Sequence, residues 1–599
     1  MKTVVPVDIY NTRINELTAD RTVLVKQKSL ISWGRLAAMI GIGLSLYFLR
    51  NISWGAAIGV AVLCLGVFLR LVVTAVNVAR KINNLNRLIA INQEEIDFTN
   101  GQYFELPSGA SFLPHDHPYG NDLDIFGRAS VYQYINRTTS QQGNTTLANW
   151  LLSPADTSEI IQRQEASKEL QPLTAWRQQL QAHGRSETIT LSTQEKIKTW
   201  LHDESDFFAK PFWKLVRIVG PIVSITIVGL YFADYIETKW FNLYLFVFFL
   251  ITGFITKKAT PVYNMLSKIA PEVAALSASI KHIENQPFQA KWLQQNQHHF
   301  IKEDTKASAS VKTLNGILSR LDIRLNPVAF LPLNILLFWD LQQMLSFEKW
   351  KKRNSKNIVV WFDALGEMEA LSSLATIGFN HPNWCYPEIA AEHGTFTATN
   401  LGHPLIAANK MVTSSFETNG AGQVAIITGS NMAGKSTFLR SVGLSLVMGM
   451  TGGPVCATRA KFARMPLIST MRISDNLEES TSTFYAELKK LKQIIDAVNK
   501  KEKIFLLLDE ILRGTNSLDR HTGSKALIQQ LVKQQAVGII ATHDLELAKL
   551  INDHPEHIHN YHFDVQVAGE ELFFDYKLKE GVCKSLNASI LMKKIGIEM

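Results

Sequence analysis

The chain is short of charge, cysteine and internal repetition. Charged residues make up 19% of its 599 positions. The usual globular share is about 25%, so part of the chain is expected to avoid water. Only four cysteines occur (Cys64, Cys385, Cys456 and Cys583), and none forms a Cys-x-x-Cys pair. That spacing excludes a disulfide scaffold and a cysteine zinc site, and it fits a reducing compartment. There is no low-complexity tract and no repeat of fixed period, which excludes solenoid arrays. No signal peptide is visible, because mixed polar residues fill the first turns before any apolar run. Hydrophobic residues reach 46%, enough for a sizeable core and too many for wholesale disorder. The balance of 61 Lys+Arg against 53 Asp+Glu gives a net charge of +8. Such a surplus suits phosphate-bearing partners or anionic lipid without choosing between them.

The apolar residues are concentrated. Leu36–Leu49 is one run, interrupted by Arg50-Asn51-Ile52-Ser53, and Trp54–Leu69 is a second that continues past Arg70 to Ala79. Ile218–Phe232 and Phe241–Ile255 form a similar pair around a turn with Asp234, Glu237 and Lys239. Each pair reads as a helical hairpin. The uncharged runs fall short of the ~20 residues needed to span a bilayer, but Arg35, Arg70 and Arg217 can snorkel and lengthen them. Trp33, Trp54, Trp213 and Trp240 sit at the ends, where interfacial aromatics belong. Lys26, Lys28, Arg80, Lys81 and Arg87 flank the first hairpin, and Lys210, Lys214, Lys257 and Lys258 the second. Basic flanks and sparsely basic turns leave the N-terminus and the long segments cytoplasmic. The alternative is two buried or interfacial hairpins of a soluble protein.

Residues 83–210 and 265–375 carry apolar residues at three- and four-residue spacing, which reads as helix, and 262–350 reads as long helices. Past Asn380, short β-branched runs alternate with helical stretches, the pattern of a parallel α/β domain.

The strongest motif is Gly429-Ser430-Asn431-Met432-Ala433-Gly434-Lys435-Ser436-Thr437, between the apolar strand Val424–Thr428 and a helix from Phe438 onward. That context is the one a P-loop requires. Glycines let backbone N–H groups curl around an anion, and the helix N-terminus adds its positive end. Lys435 is placed to neutralise the β- and γ-phosphates of ATP, and the Ser436 hydroxyl to ligate Mg²⁺. Downstream, Ile504–Leu508 reads as a buried strand delivering Asp509 and Glu510 at its C-terminal edge. Asp509 is expected on Mg²⁺ and Glu510 as the base that activates water. A third strand, Val537–Ala541, ends in Thr542-His543-Asp544, where His543 can bond a γ-phosphate.

Roughly 70 residues separate Lys435 from Asp509, leaving no room for a long inserted coiled coil. Between them, Asp475–Phe484 opens a helix whose Ser482 and Thr483 are good caps and whose N-terminus attracts phosphate. In a head-to-tail dimer Ser482 would face the nucleotide of the opposite subunit. A Leu-Ser-Gly-Gly-Gln-like transporter signature is missing. Taken together, Thr428–Thr437 resembles the TGPNMGGKST of the MutS family of mismatch-repair ATPases. Ser474-Asp475-Asn476 and Ser482-Thr483-Phe484 resemble its SDD and STF elements. Asp509–Thr515 resembles DEIGRGT, Ala541-Thr542-His543 its ATH switch, and Gly402-His403-Pro404 the RHP segment leading to the nucleotide pocket. More weakly, Leu123–Arg128 and Leu147–Leu152 look like the opening of the MutS helical core, and Trp361–Ala375 like its end.

The chain departs from that pattern at Ser430, Ala433, Leu512 and Asn516. The Phe-x-Glu wedge of the mismatch-reading domain does not occur in the first hundred residues, and no C-terminal helix-turn-helix or nuclease extension follows the ATPase motifs. The resemblance implies an α plus α/β fold: a helical core and lever with two transmembrane hairpins, then a C-terminal ABC-type P-loop ATPase domain. The expected division is 1–29 cytoplasmic segment, 30–80 first hairpin, 81–212 core, 213–256 second hairpin, 257–380 core and lever, and 381–599 ATPase domain. Implied with it are a homodimer with shared ATP sites, DNA as a partner, contact with membrane lipid, and a multi-pass location in the inner (cytoplasmic) membrane. Lys349, Lys351, Lys352 and Arg353 are candidate phosphate contacts or a solvated helix end. A membrane mechanoenzyme that works without DNA is the competing class. A transporter is a poor fit to four short spans with few polar residues.

Overall fold

The computed structural model describes residues 5–203, 207–302, 305–430, 433–472, 483–568 and 571–583. Its N-terminal half is helical. Pro6–Phe48 and Trp54–Thr99 form an antiparallel hairpin, turned by Leu49–Asn51 and restarted by Ser53, whose hydroxyl caps the amide of Ala56. No helix break falls at residue 29 or residue 80. The polar N-terminal stretch stays helical because it has a partner: Leu17 and Leu24 pack against Leu85, Leu88, Val78 and Ile82 of the returning helix. The second hairpin is Pro211–Phe232 and Thr238–Leu266, so its second helix also runs beyond residue 256.

All four helices are long and apolar enough to cross a membrane. In their most apolar stretches only 6–17% of residues are buried, and Trp33, Met39, Leu63, Ile218, Phe246 and Phe249 face outward.

The expectation of long helices across 262–350 is corrected. The stretch divides into Ala270–Glu284, Lys291–Phe300, Ala307–Leu321, Pro327–Leu337 and Trp339–Asn354. Prolines account for much of this. Pro271 and Pro327 sit in first turns, where a missing N–H is harmless, and so mark new helix starts. Phe338, with φ 52°, turns the chain by 76° between the last two helices.

Helix Ile358–Asn380 is buried along most of its length and leads directly into the α/β domain. Its last residue joins it to the first hairpin: Asn380 accepts from Tyr10 Oη (2.6 Å) and donates to Glu95 Oε2 (2.8 Å). Glu95 in turn takes both Nε and Nη2 of the buried Arg137. Removing one member of such a pair leaves an uncompensated buried charge, a loss of about 3–5 kcal/mol.

The C-terminal domain is built on a six-stranded sheet. Its order is Glu571–Glu580, Ile558–Ala568, Val424–Thr428, Val537–Thr542, Phe505–Asp509, Leu467–Thr470, parallel except for the terminal hairpin. The three central strands are buried along their length and read as unbroken apolar runs, as a sheet covered on both faces must. A smaller four-stranded sheet packs beside it, in the order Glu388–Ala390, Arg459–Ala463, Phe396–Leu401, Ser414–Thr418. One apolar core runs continuously from the helical half into one face of the large sheet.

Candidate functional site

Strand register brings the chemistry to one edge. Thr542 lies beside Thr428, and Ala541 beside Asp509, so Gly429, Asp509, Glu510 and His543 all emerge at the C-terminal ends of adjacent parallel strands. That edge is where open α/β sheets take ligands. Gly429 (φ 136°) leads into the loop and Gly434 (φ 108°) leaves it for helix Lys435–Met450. A Cβ on Gly429 would meet the Phe563 carbonyl oxygen at 2.5 Å, so no other residue fits there. Asn431 and Met432 lie outside the described residues, as does Ser482.

Lys435 is fully buried and donates to the Gly429 carbonyl (2.6 Å), with His543 Nε2 at 3.5 Å. Burial pulls its pKa down to about 8, against the opposing pull of Asp509 and Glu510. Ser436 Oγ donates to Asp509 Oδ2 (2.6 Å). The other oxygen, Asp509 Oδ1, and the Ser430 hydroxyl are buried without a hydrogen-bond partner among the described residues. Buried polar atoms are normally satisfied. A hydroxyl, a carboxylate with an open lone pair and a glycine-lined loop at a helix N-terminus together suit a Mg²⁺–triphosphate.

Glu510 follows its strand with φ 47°, in the left-handed region, and its amide donates to Ala541 O (2.9 Å). His543 Nε2 lies 2.7 Å from its Oε1, and Arg513 Nε 3.1 Å from its Oε2. The hydrogen bond from His543, helped by the Arg513 charge, outweighs burial and pulls the Glu510 pKa down to about 2. The carboxylate is therefore ionised at any working pH.

Leu512, two residues on, also has positive φ (61°). It stands where the DEIGRGT pattern has glycine. Its side chain lies over Gly523, whose added Cβ would meet Leu512 Cδ1 at 2.6 Å. Packing therefore holds a strained backbone. Replacing Leu512 by Ala removes the packing and keeps the strain, and we expect a loss of about 1–2 kcal/mol. Leu512→Gly loses the same packing but relieves the left-handed penalty of about 1–2 kcal/mol. The Gly variant should therefore unfold at higher urea than the Ala variant, and the reverse order would show that strain is not stored there.

Several residues of the site carried no assignment in the sequence. Glu487, buried on helix Thr483–Asn499, accepts from the amides of Leu512 and Arg513 and so fixes the loop after Glu510. Its only prior signal was a carboxylate one turn into that helix. Asp122, almost fully buried, accepts from Ser469 Oγ (2.8 Å), the Arg472 amide (2.8 Å) and Lys490 Nζ (3.1 Å). Arg440, on the P-loop helix, donates to the Asp122 carbonyl (3.0 Å) and pairs with Asp124 (3.3 Å). The helical core thus grips both the P-loop helix and the residues at the end of strand Leu467–Thr470.

His403, Gly434, Thr437, Phe438, Phe563 and Tyr576 line a cavity of about 220 Å³ beside the P-loop. Burial and the Arg440 charge pull the His403 pKa down to about 4, so its imidazole is neutral. Aromatic walls and a neutral ring suit a flat heterocycle. Of the basic cluster, Lys351 is already engaged, donating to the carbonyls of Trp200 (3.0 Å) and Asp203 (2.5 Å). Lys349, Lys352 and Arg353 are exposed.

Residues 425–594 match the sequence profile of MutS domain V. The chain is 34% identical over 229 residues to the DNA mismatch repair protein MutS of Ruminiclostridium cellulolyticum, covering 36% of this chain and 25% of that protein. It is 31% identical over 227 residues to the DNA mismatch repair protein MutS of Methanococcoides burtonii, covering 36% and 25%. It is 33% identical over 205 residues to the human MutS protein homolog 4, covering 32% and 22%. The chain thus matches about a quarter of the length of these relatives.

Proposed function

The C-terminal domain of this chain belongs to the MutS family, and from that premise we propose that the protein is a membrane-anchored ATPase whose nucleotide cycle moves its helical core. The observation that carries this reading is the Ser436–Asp509 pair beside a buried Lys435 and an ionised Glu510. Gly429 to Thr437 hold the phosphates, and the neutral His403 borders the base. Ser436 and Asp509 would hold Mg²⁺, which would supply neutralisation of the phosphate charge. Glu510 accepts the proton of the attacking water. His543, now paired with Glu510, is positioned to exchange that partner for a γ-phosphate, coupling phosphate loss to the conformation of the edge. Ser482 of a second copy completes the site, which makes the working unit a homodimer.

Anchoring is supported by four apolar helices with outward-facing side chains, since a contiguous patch of that size is unfavourable in water. Basic flanks put the N-terminus and the ATPase domain on the cytoplasmic side of the inner membrane, with lipid around both hairpins. DNA is the proposed partner, by the DNA mismatch repair role of the MutS relatives and the +8 surplus. The test is binding of the full chain to duplex DNA over a salt series. We expect log affinity to fall linearly with log salt. No binding at low salt would favour the second reading, an engine acting on the membrane itself. That reading has its own support in the Tyr10–Asn380–Glu95–Arg137 network, which ties the first hairpin to the helix entering the ATPase domain.

A further inference from the structure

Where the second hairpin meets the helical core, a cavity of about 470 Å³ opens between helices Pro211–Phe232, Ala307–Leu321 and Trp339–Asn354. Two arginines line it. Arg217 donates through Nε to Gln342 Oε1 (2.7 Å), and Gln342 Nε2 returns a bond to the Arg217 carbonyl (2.9 Å). Arg320 donates through Nε to the buried Gln343 (2.8 Å), and Trp339 Nε1 donates to the Arg320 carbonyl (2.9 Å). Each guanidinium is held in place by a neutral amide. Neither has an ion-pair partner among the described residues, whereas nearby Arg324 is neutralised by Asp340 at 2.8 Å. No carboxylate lines the cavity. Two oriented forks with free terminal N–H groups suit a phosphate.

The surroundings select which phosphate. Arg217 lies fifteen residues before Phe232, the distal end of its helix, or about 22 Å at the α-helical rise. A snorkelling arginine there reaches the headgroup level of a ~30 Å hydrocarbon core. The short helix Pro327–Leu337 lies against the same hairpin: a Cβ on Gly220 would strike the Phe338 ring at 2.6 Å. This helix and the turn before it expose Leu325 (76%), Val328 (85%) and Leu331, and the hairpin helix that it packs against exposes Leu215, Ile218 and Ile222. Leu337 and Pro221 form the apolar wall of the cavity itself.

We infer that this cavity binds the headgroup phosphate of an anionic phospholipid, with Pro327–Leu337 lying in the bilayer interface as a fifth membrane-contacting element. The inference rests on the membrane anchoring proposed above. The site makes the bend at Phe338, and through helix Trp339–Asn354 the core, responsive to the lipid around the hairpin.

The test uses the full chain in mild detergent, offered equal concentrations of phosphatidylglycerol and phosphatidylcholine, with retained lipids counted by native mass spectrometry. We expect at least tenfold preference for phosphatidylglycerol and one fewer retained molecule per chain in Arg217→Gln/Arg320→Gln. Melting temperature and ATP turnover of the variant report its folding. Absence of preference in the unaltered chain overturns the inference whatever the variant does, as does an unchanged lipid count in a folded variant. Full displacement by inorganic phosphate would assign the site to a soluble anion and overturn the lipid. Vesicle flotation separates the two levels: a chain that floats without lipid preference loses only this inference, and one that does not float loses the anchoring with it.

Discussion

Glu510→Gln is expected to retain ATP, to lose hydrolysis by about 10²–10³-fold, and to accumulate as a dimer in MgATP. The substitution keeps the shape of a residue that must tolerate φ 47° and preserves one of the two oxygens that His543 and Arg513 bond. It removes the carboxylate as proton acceptor, and general-base catalysis is worth about 10²–10⁴. Lys435, Ser436 and Asp509 are untouched, so binding should persist while turnover falls. If hydrolysis is what opens the interface, the nucleotide then holds two copies together. Single-turnover hydrolysis and light scattering on the eluted protein measure the two parts. Unchanged turnover would remove Glu510 from the chemistry, and a monomer at saturating ATP would remove the shared site. The pH profile adds a check. With its pKa near 2, Glu510 stays a base down to strongly acidic pH, so an acid limb of the rate near neutrality must come from another group.

The sequence was most informative where a function requires a local backbone shape. A strand, a glycine loop and a helix are consecutive in the chain, so residues 424–450 could be read without a partner. Asp509 and His543 were readable because each closes an apolar strand. Glu487 and Asp122 were not, because what they do depends on which loops the fold brings to them: Glu487 meets amides 25 residues away, and Asp122 meets residues some 350 positions downstream. The helices of the two apolar hairpins run past the uncharged stretches for a related reason. Uncharged runs stop at Arg35 and Arg70, yet an antiparallel partner and an aromatic face, Phe68 under Arg35 at 5.6 Å, let the helix continue through the charge. At 262–350 the expected long helices give way to five short ones, because prolines restart the helix within an apolar-periodic stretch.

Lys435→Met is expected to abolish ATP binding, weakening it by about 10²-fold or more, while leaving vesicle flotation unchanged. The same variant carries a signature that a merely misfolded protein would not show. Lys435 has its pKa pulled down to about 8 by burial, below the ordinary lysine value. A base with a depressed folded pKa destabilises the fold wherever the folded chain must itself carry the proton, and stability rises with pH where only the unfolded chain holds it. That penalty is full below pH 8 and fades as pH rises toward the unfolded pKa near 10.5. In nucleotide-free buffer, then, the unaltered chain should gain stability from this group between about pH 8 and 10, and Lys435→Met should lack that gain. At pH 7 the variant should melt no lower than the parent, because a buried ammonium has been replaced by an apolar side chain of similar length. Added MgATP reverses the comparison, since triphosphate oxygens stabilise the charged form and raise only the parent's melting temperature. Binding by the parent above pH 8 should then take up protons, read by calorimetry in buffers of different ionisation heat. A variant that melts well below the parent at pH 7, or a parent that binds ATP at pH 9 without proton uptake, would show that Lys435 is not the buried, phosphate-seeking cation that its place in the loop indicates.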